Sequence, residues 1–244
     1  MHRLLLLFIC LSPFSFATEA TPALKITLLQ PGIFLHTSYR MVDGYGLVDS
    51  NGLIVVAENQ AIMIDTPWSE KDTQILLDWI AAQGFTLQAS LSTHFHEDRT
   101  AGIKILNSKS IPTYASELTN ELLSQAGQAT ARHTFKGNEF QMLNGNIEVF
   151  YPGQAHSKDN LVVWLPQQQL LFGGCLIRGA QWHSLGFTGD ANIRTWADSV
   201  RHIQARYHNI KYVIPGHGAV GDASMLKHTL ELADKATADM PVNP

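Results

Sequence analysis

Apolar and polar positions along this chain fall in an order that occurs twice. GLIVVA (52–57) and AIMIDTP (61–67) are apolar, β-branched runs separated by Glu58-Asn59-Gln60, which predicts a hairpin. Ser69 then offers a helix N-cap. Ile75, Leu76, Trp79 and Ile80 make an apolar stripe, and Gly84 closes the helix. LQASLST (87–93) follows as a strand. In the second half NLVVWLP (160–166) and LLFGGC (170–175) form a hairpin around Gln167-Gln168-Gln169. A helix begins near Asn192, with Trp196, Val200, Ile203 and Tyr207 on one face, and KYVIPGH (211–217) is a strand. Further helices are predicted at about 101–107, 116–125 and 222–237. SYRMVDGYGLV (38–48) predicts a hairpin turning at Asp43-Gly44.

Hairpin, helix, strand, histidine is thus the shared order of two halves, about 18–130 and 131–244. The pattern predicts an α/β fold in which each half is a sheet covered by helices. Packed sheet against sheet, the halves make a four-layer αβ/βα sandwich with its chemistry at the sheet edge. The chain has 244 residues, 45% of them apolar, enough to bury such a core. No stretch is long or polar enough for a flexible linker, so 18–244 reads as one domain.

The first residues, MHRLLLLFICLSPFSFATEA, read as a secretory signal. Arg3 is the positive start, Leu4 to Leu11 the apolar centre, and Ser15-Phe16-Ala17 the small-x-small cleavage site. Cleavage after Ala17 gives an exported, periplasmic protein, and no later apolar run reaches membrane length. With 17 basic and 21 acidic residues and no basic cluster, capture of nucleic acid or an anionic membrane is excluded as a function. No partner-binding stripe is visible, so a monomer is expected. Export removes Cys10 and leaves Cys175 alone. An unpaired thiol in an oxidising compartment needs burial or coordination.

The chemistry concentrates in STHFHEDRTAG (92–102). His94 and His96 lie two apart after a strand, and Asp98 continues the alternation. His156 in GQAHSKDN, Cys175 in FGGCLIR and His217 in PGHG each follow an apolar strand beside a small residue. Zinc takes four ligands drawn from imidazole, thiolate and carboxylate. Six such residues divide into two sets of three, and three protein ligands per ion leave the open position of a catalytic site. The remaining histidines, His2, His36, His133, His183, His202, His208 and His228, read as packing or hydrogen-bonding residues. There is no G-x-S-x-G elbow to support a covalent serine mechanism.

HFHEDRTAG resembles the H-x-H-x-D-R segment of class B metallo-β-lactamases. IEVFYPGQAHSKDNLVVWLPQQQLLFGGC and IPGHGAVGD are similar to the same family, and the resemblance covers nearly the whole mature chain. It points to the di-zinc, broad-spectrum first subclass, nearest the imipenemase-type members. The wider hydrolase superfamily usually has His after the Asp and Asp at the position of Cys175.

The resemblance implies that His94, His96 and His156 hold one zinc, and Asp98, Cys175 and His217 the other. It implies hydrolysis of the β-lactam amide of penicillins, cephalosporins and carbapenems by metal-bound hydroxide that Asp98 orients, conferring antibiotic resistance. Arg99 and Asp65 would fix the ligand loop by hydrogen bonds. Arg178, standing where relatives usually carry Lys, would grip the substrate carboxylate. Phe187 replaces an Asn of many relatives in LGFTGDAN. Tyr45 and Met41 would give the 38–48 flap an apolar underside, with Trp68 on the opposite wall. Two other readings remain open: a superfamily hydrolase acting on a thioester, lactone or phosphodiester, and a non-catalytic exported zinc-binding protein.

Overall fold

The structure is a computed structural model that describes residues 21–241; the segment 1–17, expected to be a secretory signal, lies outside the described residues. The first sheet has seven strands in chain order: β1 (Lys25–Gln30), β2 (Ile33–Val42), β3 (Gly46–Ala57), β4 (Gln60–Ile64), β5 (Thr86–Leu91), β6 (Thr113–Ser116) and β7 (His133–Phe135). Strands β1 to β4 pair antiparallel through tight turns. Strands β4 to β7 pair parallel. Parallel neighbours need crossovers, and these are α1 (Glu70–Ala82), then α2 (Glu97–Thr100) with α3 (Ile103–Ser108), then α4 (Glu117–Gln125).

The second sheet holds β8 (Glu139–Met142), β9 (Ile147–Phe150), β10 (Val162–Leu165), β11 (Leu170–Gly174) and β12 (Tyr212–Pro215), with β12 and β8 at its edges. Its one parallel pair, β11 and β12, is bridged by α5 (Ile193–Arg206); α6 (Ser224–Ala238) packs on the same face. The chain crosses between sheets after Phe135 and before Glu139.

Strand periodicity explains the layers. Along β3 and β4, Leu53, Val55, Ile62 and Ile64 face the second sheet, where they meet Val149, Val163, Leu165, Leu170 and Phe172. The intervening Ile54, Ala61 and Met63 face Leu76 and Ile80 of α1 and Leu106 of α3. Val162, Trp164, Leu171 and Val213 do the same under Trp196, Val200 and Ile203 of α5. Strands covered on both faces read as continuous apolar runs rather than alternating ones. The fold is an α/β sandwich of two sheets flanked by helices, as expected from the pattern.

Local details refine the reading. Ser69 caps α1 by accepting from the Asp72 amide, 3.0 Å away. Ile75 is not part of the buried stripe: it is 43% exposed, and Thr73 takes the inward position. Glu58 and Asn59 both have positive φ, so the hairpin turn has two residues and Gln60 already pairs with Ala57. The predicted 101–107 helix begins earlier and breaks in two. Asp98 therefore sits on a helical turn, α2, and not on an extended strand end. Among the described residues no helix is long and apolar enough to cross a membrane.

Candidate metal centre

Both sheets present the carboxyl ends of their parallel strands at one edge. His94 and His96 follow β5, Cys175 follows β11 and His217 follows β12. His156 lies in the loop from β9 to β10, and Asp98 on α2. The six sequence-predicted ligands meet there. Three overlapping groups, His94/His96/Asp98, His94/His156/Cys175 and Asp98/Cys175/His217, each have donor atoms within 4.8 Å of one another.

The donor set fits metal ions. His96 Nδ1 is 3.1 Å from both His94 Nε2 and His156 Nε2. Ligands on a tetrahedral zinc at about 2.0–2.1 Å stand roughly 3.3 Å apart. His96 Nε2 lies 2.9 Å from Asp190 Oδ2, which holds the ring proton there and turns the Nδ1 lone pair inward. Burial, reinforced by neighbouring histidine charge, keeps His94 and His156 well below the usual imidazole range, so both offer neutral nitrogens.

The second group is anionic and compact. Cys175 Sγ is 3.2 Å from His217 Nε2 and 3.4 Å from Asp98 Oδ2. Burial would raise the Asp98 carboxyl, but Arg99 and His217 outweigh it and hold it well below the usual carboxylate range. Burial likewise works to lower His217, yet Cys175 and Asp98 push it up to about 10. A dication replaces such a proton, so metal uptake here releases it.

Arg99 underpins this group. It is fully buried, with Nε 2.9 Å from Asp98 Oδ2 and Nη2 3.2 Å from Cys175 Sγ and 3.0 Å from the Gly216 carbonyl. Gly216 is needed at that point, because a Cβ would stand 2.6 Å from the Cys175 sulfur. Asp65 joins the scaffold with a positive φ of 59°. Its carboxylate accepts from the Thr93 amide at 2.7 Å and hydroxyl at 2.8 Å, and pairs with Arg99 Nη1 at 3.3 Å.

An observed likeness decides the family. The profile of the metallo-beta-lactamase superfamily matches residues 45–217. A metallo-beta-lactamase type 2 from Pseudomonas aeruginosa is 44% identical over 96% of this chain and 95% of its own. The chain belongs to the metallo-β-lactamase family. Among solved structures, TMB-1 superposes with a TM-score of 0.87 at 53% identity, covering 88% of this chain and 99% of that one. The DIM-1 metallo-β-lactamase exposed to ceftazidime gives 0.88 at 50% identity, covering 89% and 100%. These relatives agree with the first subclass. The chain is a metal-binding hydrolase of β-lactams, an activity that confers resistance to them.

In this β-lactamase two of the residues expected to meet substrate, Trp68 and Phe187, border histidines of the centre. Trp68 faces the His217 ring at 6.1 Å between centroids, and Phe187 stands edge-on to His96 at 5.8 Å. The 38–48 hairpin turns through residues 43–45, and its apolar residues Met41, Tyr45 and Leu47 are exposed. Arg178 is buried to 8% exposure, its Nε donating to the Ser184 carbonyl and its guanidinium lying 5.6 Å over Trp182. Burial lowers its pKa below the usual guanidinium value.

Four contributors escaped the sequence reading. Asp190 lies in LGFTGDAN, three residues after Phe187. Asp49 accepts from His217 Nδ1 through its carbonyl and from the Gly218 amide at 2.8 Å through its carboxylate. Asn51 donates to the carbonyls of Pro215 and Gly218. The fourth, His36, reaches the Asp65 carbonyl, 3.1 Å from its Nε2. Asp190 carries a signal in its neighbours; the other three sit on ordinary strand positions and carry none.

Proposed function

We propose that this β-lactamase binds two zinc ions and opens the β-lactam amide of penicillins, cephalosporins and carbapenems in the periplasm, as a monomer. One ion would lie among His94, His96 and His156, the other among Asp98, Cys175 and His217. The observation that carries the reading is the meeting of three imidazole nitrogens and an Asp/Cys/His group at one open edge. Zinc, when bound, supplies Lewis acidity and makes water a competent nucleophile near neutral pH.

The chain's own residues do the rest. Asp98, held by Arg99 on one side, presents its carboxylate between the two groups, where it orients the attacking water. Among the described residues the terminal nitrogens of Arg178 have no hydrogen-bond partner, which leaves them for the substrate carboxylate. Phe187 has no donor, so carbonyl polarisation falls to the metal side of the cleft. Trp68, Tyr45 and Phe187 give apolar walls to the fused rings.

The test is turnover of a chromogenic cephalosporin and of a carbapenem by purified protein, abolished by chelator and restored by zinc. No turnover at saturating zinc would end the reading. Cys175→Ser tests the ligand assignment: bound zinc should fall from near two ions per chain toward one, with activity recovering only at excess zinc. Full zinc content and full rates in that variant would refute the assignment.

A further inference from the structure

We propose that His36 is a positioning residue for the metal centre. Its ring crosses Gly52 to fix the Asp65 peptide, and the Asp65 carboxylate in turn sets Thr93 and Arg99 against the ligands. The inference rests on the metal-binding reading above and concerns a residue that touches no ligand itself.

The geometry starts from strand order. His36 on β2 pairs with Gly52 on β3, and Asp65 follows β4, the next strand over. An imidazole on β2 reaches the far side of β3 only where β3 has no side chain in the way. A Cβ on Gly52 would stand 2.4 Å from the His36 ring and 2.7 Å from the Ile64 carbonyl. The glycine therefore makes the passage, and the ring fills it with His36 only 1% exposed.

At the end of that passage is a backbone group in need of a partner. Asp65 leaves the strand conformation with φ of 59°, a region costly for residues other than glycine. Its amide still reaches the Leu91 carbonyl at 2.8 Å. Among the described residues its carbonyl meets one donor, His36 Nε2 at 3.1 Å. Buried carbonyls are rarely left unsatisfied. Burial lowers His36 to about 3, so the ring is neutral and its single proton sits on Nε2, facing the carbonyl. His36 Nδ1 is buried without a partner among the described residues, so Nε2 alone ties the ring to its surroundings.

The turned Asp65 aims its carboxylate at the metal side. It holds the amide and hydroxyl of Thr93, the residue before His94, and pairs with Arg99, which touches both Asp98 and Cys175. Relaxation of the Asp65 peptide toward an extended conformation would swing this carboxylate away. The Arg99 contacts and the His94 approach would loosen together. An apolar side chain at 36 could fill the passage yet could not hold the peptide.

The test compares His36→Gln, whose amide extends as far as Nε2, with His36→Asn, whose amide ends near Nδ1, and with His36→Leu. Zinc affinity is read by competition titration of the full chain, and the cobalt-substituted proteins are read by their sulfur-to-metal absorption. We expect His36→Gln to match the wild type. His36→Asn and His36→Leu should weaken the Asp98/Cys175/His217 site about tenfold, the lower end for groups that support ligands. Their sulfur-to-cobalt band should fall or shift, and lost turnover should return at excess zinc.

Wild-type affinity and spectra in both Asn and Leu variants would overturn the proposal, even with a lowered Tm. Equal losses in Gln and Asn would also overturn it and mark His36 as a filler of space. Should His36→Leu fail to fold, the Gln and Asn pair decides alone. Wild-type protein that binds no zinc would instead sink the metal-binding reading, and this proposal with it.

Discussion

Arg99 and Cys175 are 76 residues apart in the chain and 3.2 Å apart in the fold, guanidinium Nη2 to sulfur Sγ. The contact joins the β5 side of the edge to the β11 side. Arg99 is also paired with both Asp98 and Asp65, all three buried. Removing a buried partner strands the others, at a cost of about 3–5 kcal/mol. Arg99→Ala should therefore lower stability by roughly that amount in urea unfolding, besides weakening zinc. A stability within experimental error of wild type would show that water replaces the guanidinium freely.

Asp190 holds the outer nitrogen of His96 at 2.9 Å, and so selects which nitrogen faces the other imidazoles. Partners of this kind typically contribute about 10–100-fold to metal affinity or activity. Asp190→Ala should weaken the three-histidine site by that order, with the sulfur-to-cobalt band of the other site retained. Competition titration paired with the cobalt spectrum separates the two. Loss of the sulfur band alone would contradict the arrangement.

Arg178 is packed over Trp182, and among the described residues its terminal nitrogens make no hydrogen bond. A group that only anchors substrate stabilises ground and transition states alike, so its loss raises KM more than it lowers kcat. Arg178→Ala should show that split with penicillin, cephalosporin and carbapenem substrates. A fall in kcat with unchanged KM would place Arg178 in transition-state stabilisation instead. Arg178→Lys should recover part of the KM, because the charge returns without the planar fork.

His36 supplies a pH dependence of stability whose sign is fixed. Its pKa is about 3 in the fold against 6.5 in an unfolded chain, because burial excludes the charged ring. The unfolded state then binds more protons between these values, so the stabilisation is full above about 6.5 and is lost as pH falls toward 3. The difference is on the order of 5 kcal/mol at the acid limit. Urea midpoints at pH 7, 5 and 4, taken in chelator, should fall faster for wild type than for His36→Gln. Parallel pH profiles for the two proteins would refute the assignment.

The sequence alone determined the elements and the donors. Apolar runs of β3, β4, β10 and β11, covered on both faces, are visible as near-continuous apolar stretches, and the stripe of α5 is visible at helical spacing. His94, His96, His156, Cys175 and His217 come after apolar strands and Asp98 follows two of them at i+4 and i+2, a local signal that needs no coordinates. Only the tertiary structure decided what supports them. His36, Asp49, Asn51 and Asp190 act across strands or through backbone carbonyls, and Ile75 turns outward although its spacing fits the stripe. The reason is physical. Periodicity records which face of an element is apolar. Hydrogen bonds between distant segments depend on register, on a missing Cβ at Gly52 or Gly216, and on one left-handed residue at Asp65, none of which leaves a period in the chain.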